Sequence, residues 1–584
     1  MKELRYLKKY FAKYKYSLLA GVLITIVARI FLLFTPELVG SSVDVIDEYR
    51  RGVITDIPSV KKELLINILY ILGAAIIGGI FTFLMRQTII NVSRHVEYDL
   101  KNEIYAHYQR LSLNFYKSNR TGDLMNRISE DVSRVRDFMG PALMYSINTL
   151  TLFVIALYLM FREAPMLTLY TIIPLPILSY FIYVLSIRIH RKSTIVQEWL
   201  SKLSTLSQET FSGISVIKSY GIEAQTNAQF ESLSLEHRQK NLDLARVDAL
   251  FFPMMIFLIG LSNIIVIYIG GTQYINGQIE SLGVIAKFII YVNLLTWPVA
   301  TVGWVTSLVQ RAEASQKRIN EFLNEVPDIA NITSEHSEIK GKITFRNVSF
   351  TYPDTNIEAL KNVSFELQKG ETLAILGKTG SGKSTILDLI GRLYDVSSGQ
   401  ILIDDVSIDQ LNLNDLRSSI GYVPQDAFLF SDTIKNNIRF GKQDATEDAV
   451  IEAAKNADVH KNIKKFNNGY DTVLGERGIT LSGGQKQRIS IARAIIKDPE
   501  ILLFDDCFSA VDTETEEKIL KNLGKVTQDK TTIIVSHRVS SAKNANKIIV
   551  LDGGKIIQSG THEQLLGVDG YYKDLYLKQL TESN

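Results

Sequence analysis

The sequence is short of cysteine and of net charge, and both shortages limit what the protein can be. A single cysteine, Cys507, among 584 residues excludes an intramolecular disulfide and every metal site built from several cysteines. It also fits a reducing compartment for the segment that carries it. Lys and Arg number 64 against 62 Asp and Glu, a net charge of +2. Without a basic excess, the composition does not indicate a nucleic-acid-binding protein, and we expect no nucleic-acid partner.

Charged residues are also scarce in six long apolar segments of the first half of the chain. A helix needs about 20 apolar residues to cross a bilayer core of about 30 Å, and each segment has that length. The segments cover residues 17–39, 64–85, 141–161, 165–187, 249–271 and 282–305. Buried helices of soluble proteins rarely stay apolar for so long. The pattern predicts an α-helical transmembrane bundle with six spans over residues 1–325.

The distribution of basic residues predicts the orientation of the spans, because Lys and Arg gather on the cytosolic side. Residues 2–15 carry six of them, whereas the short connections 162–163 and 272–281 carry one and none. The basic start resembles that of a signal peptide, but the apolar run after it is too long and has no obvious small-residue cleavage site. We therefore expect a retained first helix and both termini in the cytosol.

Two connections between the spans are much longer than the others. Residues 86–140 and 188–248 are mostly polar and compatible with helices. We predict that the membrane helices continue into the cytosol there and turn near residues 111–117 and 205–213. Ordinary soluble loops are the alternative, although loops of this length without secondary structure are uncommon.

Two cations, Arg29 and Lys287, fall inside predicted spans. A charge at the centre of a membrane helix costs about 2.5 to 3.5 kcal/mol on insertion scales. Each cation is a candidate for a polar cavity or for contact with an anionic group of a substrate. Alternatively, each reaches the membrane surface or pairs with polar groups of the bundle.

A different pattern begins after the last span. Residues 310–326 are compatible with a polar helix, and from Ile343 short apolar runs alternate with Gly, Asn and Asp, which is typical of strands and turns. We therefore predict a cytosolic α/β domain over residues 340–580. Its clearest motif has the form G-x-x-x-x-G-K-[ST] between an apolar run and a predicted helix, as a phosphate-binding P-loop requires. This P-loop consists of Gly377, Lys378, Thr379, Gly380, Ser381, Gly382, Lys383 and Ser384, and Thr385 follows it.

The residue types of the P-loop predict its chemistry. Its glycines let backbone N–H groups close around phosphates, and the N-terminus of the next helix favours their negative charge. Lys383 can reach the terminal phosphates, and Ser384 can bind Mg²⁺. The apolar run 501–505 ends in Asp505, as expected of a strand that presents a metal-linked carboxylate beside the phosphates. Together these residues predict a site for ATP and Mg²⁺.

A second segment able to hold phosphate lies between these two motifs. It is an LSGGQ sequence, and the helix after it carries Arg488 and Arg493. Its residues are Leu481, Ser482, Gly483, Gly484 and Gln485. The order of P-loop, LSGGQ and apolar strand ending in Asp resembles that of ATP-binding cassette (ABC) proteins. Placed after six spans, it resembles an ABC exporter half-transporter of the multidrug or lipid type over essentially the whole chain.

Shorter segments match the same family, at residues 119–123 and 213–218 in the two long connections and at 433–438 in the α/β domain. In this family two cassettes pack head to tail, so the LSGGQ of one chain closes over ATP held by the other. The resemblance therefore implies a dimer with a second half-transporter, in the lipid of a bacterial inner (plasma) membrane. It also implies ATP hydrolysis coupled to export by alternating access.

The resemblance implies roles for further residues. Tyr352 resembles the aromatic residue that stacks on adenine, and Gln425 the glutamine that senses the metal and takes part in catalysis. His537 resembles the histidine that contacts the γ-phosphate, and Asp512 lies in a loop that crosses the dimer interface. Residues 475–478 resemble the exporter segment that contacts the partner's long connections. Without the family context, the first three would be an ordinary core tyrosine, turn glutamine and strand-end histidine.

One position near the predicted site departs from the family in a way that affects catalysis. Asp506 stands where the family has a glutamate that polarises the attacking water. Aspartate is one methylene shorter, and a misplacement of about 1 Å can lower a rate about a hundredfold. We expect this site to bind ATP well and to hydrolyse it slowly, like the weakened subunit of heterodimeric exporters. A homodimer with two slow sites, or one in which Asp506 acts through a water, is the alternative.

Two other positions leave open questions. Leu474 replaces a glutamate of the exporter segment, which puts a detail of domain coupling in doubt. Cys507 adjoins Asp506, so either redox control or a small buried filler is conceivable, and the filler is favoured because nothing nearby suggests a depressed pKa.

The substrate class is the least determined feature. Drugs, lipids and peptides all fit an apolar cavity lined by helices, and the apolar spans favour an amphipathic or lipophilic molecule. An ATP-gated channel or a regulatory subunit with slow hydrolysis is the alternative function, and Asp506 is the residue that supports it.

Overall fold

Long apolar helices in the first half of the chain and short strands in the second give two compact units. A computed structural model describes residues 2–475 and 481–583. The first unit combines Met1–His107 with Gly122–Asn324, and the second combines Tyr108–Thr121 with Glu325–Asn584. A short part of the first long connection therefore belongs to the same unit as the α/β domain.

The first unit is helical throughout its regular structure. Its α-helices are Lys8–Lys13, Lys15–Arg50, Ile57–Tyr108, Thr121–Asn126, Val132–Asp137, Leu143–Glu163, Pro165–Ile172, Pro174–Ser212, Ile214–Tyr220, Glu223–Asp248, Phe251–Ile275 and Gly283–Leu323. A 3₁₀ turn at Glu3–Leu7 and π turns at Arg127–Asp131 and Phe138–Ala142 complete it. The second π turn contains Pro141, which has no N–H to donate to the regular α-helical ladder.

Five helical segments of the described part are long and apolar enough to cross a membrane. They are Lys15–Arg50, Ile57–Tyr108, Thr121–Glu163, Glu223–Ile275 and Gly283–Leu323. Only 6% of the most apolar stretch of Ile57–Tyr108 is buried within the chain, so most of that surface is available to lipid or to another chain. The predicted span 165–187 is not among the five. It is divided at Ile173 between two helices, and Pro174 begins the second.

The two long connections are helical, as predicted. Helix Ile57–Tyr108 continues well past the predicted end of its span, and the short helix Leu113–Ser118 lies in the predicted turn. In the second connection, helix Pro174–Ser212 runs without interruption through residues 205–212. The predicted turn there is wrong by about two helical turns, because the reversal comes between Gly213 and Ile222, around the short helix Ile214–Tyr220. Gly221 permits it with a left-handed φ of 63°.

The two predicted intramembrane cations have different surroundings. The Nζ of Lys287 lies 2.7 Å from Glu37 Oε2 and 3.3 Å from Glu163 Oε1. The hydroxyl of Tyr291 donates to the other oxygen of Glu37 at 2.7 Å. Lys287 therefore pairs with polar groups of the bundle, which was one of the two alternatives. Arg29 reaches only the Thr82 hydroxyl, at 3.5 Å, and its Nε is buried without a partner among the described residues.

The second unit contains ten described strands and a set of short helices. The strands are β1 Ile343–Thr351, β2 Glu358–Leu367, β3 Thr372–Gly377, β4 Ser398–Ile403, β5 Val406–Ser407, β6 Ile420–Val423, β7 Ile501–Asp505, β8 Thr531–Val535, β9 Lys547–Asp552 and β10 Lys555–Gly560. The helices are Leu113–Ser118, Lys383–Ile390, Leu413–Ser418, Ile434–Arg439, Glu447–Asn456, His460–Ile463, Gly483–Ile496, Thr513–Val526, Val539–Ala542, His562–Leu566 and Tyr571–Ser583, with a 3₁₀ turn at Gly469–Asp471.

The strands form two sheets. An antiparallel sheet has the order β2-β1-β4-β5, and a six-stranded sheet has the order β10-β9-β3-β8-β7-β6. All pairs of the larger sheet except β10 with β9 are parallel. One apolar core joins the two sheets, and a second core contains Phe504 of β7 together with residues of helices Glu447–Asn456 and Gly483–Ile496. This α/β architecture confirms the predicted fold class.

Two glycines mark the closest approach between helices in the first unit. A Cβ built on Gly283 would lie 2.3 Å from the carbonyl oxygen of Gly40 and 2.5 Å from the Asp44 carboxylate. The same carboxylate accepts the Gly283 N–H at 2.6 Å. Small residues let membrane helices approach closely enough for such packing. The crossing of helices Lys15–Arg50 and Gly283–Leu323 therefore depends on the absence of a side chain at these positions.

We expect Gly283→Val to destabilise the protein by about 1 to 3 kcal/mol, because the added atoms have no space without moving one helix. The measurement is the thermal unfolding of the purified chain in detergent. Gly79→Val is the matched control, since Gly79 also lies in an apolar helix and a Cβ there would have nothing within 4 Å. Equal unfolding temperatures for the two variants would contradict the tight crossing.

Candidate functional site

The parallel register of the larger sheet brings four predicted site segments to one edge. Strand β6 pairs with β7, β7 with β8 and β8 with β3, all in parallel. The carboxyl ends of parallel strands meet at the same edge of a sheet. Gln425 follows β6, Asp505 ends β7, His537 follows β8 and the P-loop follows β3. The structure therefore collects these residues from four separate parts of the sequence.

The P-loop has no room for side chains at two of its glycines. A Cβ on Gly377 would lie 2.2 Å from the carbonyl oxygen of Leu551, and one on Gly382 would lie 2.4 Å from that of Ala359. Gly377 and Gly382 also have φ angles of 149° and 97°, which side chains disfavour. Gly380 and Thr379 lie on the tip between them. The backbone can thus close around a phosphate in a way that no other residue at these two positions would allow.

The surroundings of Lys383 and Ser381 suit the binding of an anion. The Nζ of Lys383 is buried and donates to the carbonyl oxygens of Gly377 at 2.9 Å and Lys378 at 2.8 Å. Burial lowers the pKa of Lys383, while the charges of Asp506 and Asp505 oppose that effect. The Ser381 hydroxyl is buried and has no hydrogen-bond partner among the described residues. An orphaned hydroxyl beside a buried cation fits a bound phosphate.

Ser384 and Asp505 lie together, as the metal prediction requires. The Ser384 hydroxyl donates to Asp505 Oδ1 at 2.9 Å. Burial raises the pKa of Asp505, and the hydrogen bond from Ser384 works against that rise. A hydroxyl and a carboxylate are oxygen ligands of the kind that Mg²⁺ uses together with substrate phosphates. These two side chains therefore fit a Mg²⁺ ion bound with ATP.

Asp506 and His537 are joined at the ends of β7 and β8. The Asp506 N–H donates to the Val535 carbonyl at 3.0 Å, with Asp506 in a left-handed conformation at φ 41°. Burial raises the pKa of Asp506, whereas the charges of His537 and Lys383 and the polar backbone N–H of His537 lower it. Burial and the Lys383 charge lower the pKa of His537. Asp506 can thus accept a proton, next to an imidazole that stays largely neutral near pH 7.

Tyr352 lies beside the P-loop helix and has two aromatic neighbours. Its hydroxyl shares a hydrogen bond of 3.0 Å with Thr385, and its ring meets those of Phe350 and Tyr394 edge to face. The Nζ of Lys117 lies 4.7 Å from the centre of the Tyr352 ring. A ring that attracts a cation presents an electron-rich face. Tyr352 is half-buried, and its position beside the P-loop suits contact with the base of a nucleotide.

The LSGGQ segment forms the N-terminus of helix Gly483–Ile496. Ser482 and Gln485 make a reciprocal capping box, with the Ser482 N–H donating to Gln485 Oε1 at 3.0 Å. Leu481 is buried, and a Cβ on Gly484 would lie 2.7 Å from the carbonyl oxygen of Ala510. Among the described residues, no hydrogen bond or ion pair joins this segment to the P-loop. The structure therefore gives one chain two separate segments for binding phosphate.

Three predicted residues have local structural roles as well. Asp512 caps helix Thr513–Val526 by accepting the Thr515 N–H at 2.9 Å. Gln425 is exposed, and its carbonyl accepts from Gln487 Nε2 at 3.4 Å. Arg493 donates to the carbonyls of Asn437 and Phe428, so it fixes the backbone around the LSGGQ helix. The exposed side chain of Gln425 remains available to a ligand at the sheet edge.

Both neighbouring positions lie in the interior of the second unit. Cys507 is fully buried in the second core, and burial raises the pKa of its thiol well above the usual range. It is the small buried filler that was favoured. Leu474 is buried in the same core among apolar side chains. In the predicted exporter segment 475–478, positions 476–478 lie outside the described residues.

Two residues near the site were missed by sequence reasoning. Lys117 comes from the first long connection, more than two hundred residues before Tyr352, and no local motif marks it. Asp388 lies one helical turn after Ser384, and burial raises its pKa to about 6, which the charge of Lys117 opposes. For Asp388, the only signal in the sequence was a carboxyl group on the buried side of the P-loop helix. Both residues add charge to the surroundings of Tyr352.

Comparison with known proteins matches both halves of the chain. The model for "ABC transporter transmembrane region" matches residues 18–299, and the model for "ABC transporter" matches residues 360–509. The chain is 36% identical over 580 residues to the probable multidrug resistance ABC transporter ATP-binding/permease protein YheI of Bacillus subtilis, covering 98% of this chain and 96% of that protein. It is 35% identical over 575 residues to the multidrug resistance-like ATP-binding protein MdlA of Escherichia coli, with the same two coverages.

A solved structure has the same fold over nearly the whole chain. It is a bacterial Atm1-family ABC exporter with ATP bound, with a TM-score of 0.79 and 27% sequence identity, covering 96% of this chain and 99% of that one. Identity above 30% over full length, with both family models in the expected order, establishes the relationship. The chain therefore belongs to the ABC transporter family, as an integral membrane half-transporter of the exporter type that joins a transmembrane region to an ABC ATPase domain.

Proposed function

We propose that this half-transporter uses ATP to export an amphipathic or lipophilic molecule by alternating access, as one half of a dimer. The observation that carries the proposal is the sheet edge where the P-loop, Asp505, Asp506 and His537 meet, in a chain whose other unit consists of long apolar helices. A phosphate site of this kind supplies free energy, and the helices supply a path through the membrane. ATP binding would close the cassettes, and hydrolysis with product release would reset them.

The dimer is supported by the two phosphate-binding segments. Within the described chain, Ser482 makes its polar contact with Gln485 and not with the P-loop. Its helix N-terminus retains backbone N–H groups that suit a phosphate. In the dimer, the LSGGQ of each chain covers the ATP that the P-loop of the other chain holds. Asp512 lies on the loop just after Ala510, which touches Gly484, and so it belongs to the same surface.

Each residue of the ATP site has a task that its surroundings support. Lys383 exchanges its two carbonyl partners for phosphate oxygens, and Ser381 gains the partner that it lacks. The backbone N–H groups of the P-loop fix the phosphates, and Tyr352 stacks on adenine. Ser384 and Asp505, with Gln425 across the edge, would hold Mg²⁺. When bound, Mg²⁺ neutralises charge on the phosphate oxygens.

Asp506 is the base that orients water, and its short side chain makes hydrolysis slow. A backbone held by Val535 and by its own φ angle offers little freedom to move the carboxylate forward. His537, which follows β8 beside the end of β7, contacts the γ-phosphate. Slow hydrolysis here is compatible with transport if the partner chain has an intact glutamate, because this chain contributes an intact LSGGQ. We therefore favour a heterodimer over a homodimer with two slow sites.

The substrate class and the membrane orientation are inferred from the composition of the chain and from its relatives. The described spans are almost entirely apolar, and two relatives carry the word multidrug in their names. Both favour a lipophilic or amphipathic substrate. The basic N-terminal residues favour cytosolic termini, and the bacterial relatives favour an inner-membrane location. An ATP-gated channel or a regulatory subunit is the second candidate function, and the Asp506 substitution is what favours it.

A transport measurement distinguishes the two candidate functions. Inverted membrane vesicles that contain the chain and its partner should accumulate a lipophilic fluorescent dye against its gradient when Mg-ATP is added. Accumulation should disappear in the Lys383→Ala variant, which loses the cation that binds the phosphates. The measurement is dye uptake with time. Dye that only equilibrates across the membrane, at a rate that depends on ATP, would indicate a channel.

The second test changes the length of the catalytic carboxylate. In the purified chain reconstituted in lipid, we expect Asp506→Glu to raise Mg-ATP turnover by about tenfold to a hundredfold, because it returns the missing methylene. Asp506→Asn should lower the remaining turnover, since the base is lost. Nucleotide affinity should change little in both variants. Rapid turnover by the unaltered chain alone would mean that Asp506 is sufficient and that a homodimer is competent.

The LSGGQ provides the third test, because in a heterodimer it serves the partner's site. In the purified complex, Ser482→Arg in this chain should lower ATP turnover more than tenfold by blocking the phosphate side of the partner's site. Asp506→Asn in this chain should have a small effect on the same complex. Turnover is measured with both chains at equal amounts. Similar losses from the two substitutions would indicate two equivalent sites.

A further inference from the structure

Residues outside the family motifs bind the loop that carries His537. It follows β8, and helix Val539–Ala542 begins directly after it. On the neighbouring strand, the Asp506 N–H donates to the carbonyl of Val535, two residues before His537. The direction of the imidazole and its distance from Asp506 therefore both depend on where this short piece of backbone lies.

Gln579 of the C-terminal helix binds this backbone with both ends of its side-chain amide. Its Nε2 donates to the carbonyl oxygen of His537 at 2.9 Å, and its Oε1 accepts the N–H of Val539 at 2.9 Å. A primary amide that both donates and accepts fixes two successive peptide groups at once. The carbonyl that Gln579 binds belongs to His537 itself. One side chain of the C-terminal helix thus fixes the backbone that carries the imidazole.

The C-terminal helix itself is anchored firmly enough to serve as a support. Tyr572 is fully buried in a core with β3 and β9, and its hydroxyl lies 2.6 Å from Nδ1 of His562. The Tyr572 N–H donates to Gln558 Oε1 at 3.0 Å. Gln579 lies two helical turns beyond this anchor. Its amide is therefore held by the sheet on which the site is built.

The opposite side of the loop has an anchor of its own. Arg538 donates to the carbonyl of Val511 at 3.1 Å and to Glu516 Oε2 at 2.7 Å. Glu516 is fully buried and also accepts from the Ser540 hydroxyl at 3.0 Å. This pair connects the His537 loop to the segment around Asp512. Gln579 and Arg538 hold the two sides, and Gln579 is the one that binds the His537 peptide itself.

We propose that Gln579 is a positioning residue for ATP hydrolysis, which sets the backbone of His537 and, through it, the direction of the imidazole beside Asp506. The inference rests on the proposed function, since it assumes that His537 and Asp506 act on ATP. It assigns a role in the catalytic step to a helix at the end of the domain. It does not involve the P-loop or Tyr352, so nucleotide binding is independent of it.

The test uses the full-length chain purified alone in lipid, because in a complex the partner's site would dominate turnover. The chain is measured both unaltered and in the Asp506→Glu background. Gln579→Leu removes both hydrogen bonds at similar size. We expect kcat for ATP hydrolysis to fall by about tenfold to a hundredfold, as for a catalytic group displaced by about 1 Å. KM for ATP and the affinity for a fluorescent ATP analogue should stay unchanged. Thr581→Ala is the control, because the Thr581 hydroxyl bonds only carbonyls of its own helix, those of Leu577 and Lys578.

Gln579→Glu separates positioning from a general loss of stability. Its carboxylate still accepts the Val539 N–H but opposes the His537 carbonyl, and protonation restores the lost donor. The ratio of its kcat to that of the unaltered protein should therefore rise as the pH falls from about 8 to about 6, a range in which raised carboxyl pKa values occur. Taking the ratio at each pH removes the titration of His537 and Asp506 themselves. A merely structural role would give a ratio that does not respond to pH.

Three outcomes would overturn the inference, and a fourth concerns the proposed function. An unchanged kcat in Gln579→Leu, or equal losses in kcat and nucleotide affinity, would show that Gln579 does not position His537. A flat pH ratio for Gln579→Glu would do the same even if the leucine variant failed to fold. If His537→Ala and Asp506→Asn both left hydrolysis unchanged, the assignment of the ATP site would itself be wrong.

Discussion

The parallel register of β6, β7, β8 and β3 is the constraint on which the nucleotide site depends. Four parallel strands deliver four loops to one edge, and parallel strands require long crossover connections. The crossover between β6 and β7 carries the LSGGQ helix, and the one between β7 and β8 carries Asp512 and Glu516. A shift of β7 by one residue would move Asp505 and Asp506 together and would break the bond between Ser384 and Asp505. Strands β7 and β8 are buried along their full length. Their packing therefore fixes the positions of the polar residues at their ends.

Buried charge makes that edge sensitive to its backbone. Lys383, Asp505 and Asp506 interact at a place where burial raises carboxyl pKa values and lowers that of lysine. Charges out of water need partners. Here the partners are the two carbonyls that accept from Lys383 and the Ser384 hydroxyl that donates to Asp505. Such groups are already oriented before a nucleotide binds. Preorganised dipoles of this kind are effective at stabilising a developing charge, because they do not have to reorient during the reaction.

The sequence predicted what is local and missed what is distant. Motifs such as the P-loop and LSGGQ are contiguous, and a strand that ends in Asp505 needs only its apolar run, so β3 and β7 lie where they were expected. Helix ends in the membrane unit were less certain, because hydropathy marks where lipid contact stops and not where hydrogen bonding stops. Helix Gly283–Leu323 shows this, since it joins the last span to the polar helix expected separately. Proline spacing offered a clue to the division at Ile173 that the apolar pattern concealed.

Lys117, Glu516 and Gln579 could not be found in this way, because each acts through contacts with residues far along the chain. Their residue types are ordinary on a helix surface, and only the fold shows what they touch. Glu516 is the clearest case, since an acidic residue three positions after Thr513 looks like a favourable charge in a first helical turn. In the structure it is fully buried under Arg538. Long-range polar contacts of this kind are decided by topology, which no local pattern contains.

The consequence of Asp506 follows from the same framework and not from the side chain alone. A shorter carboxylate could regain its reach if the backbone at the end of β7 moved toward the nucleotide. The Asp506 N–H donates to the Val535 carbonyl, and its φ of 41° is one that few residues adopt. Moving it would break the β7–β8 pairing or the His537 loop. This backbone rigidity would prevent an aspartate from compensating for its missing methylene, so the proposed slow hydrolysis would be a property of the sheet edge as a whole.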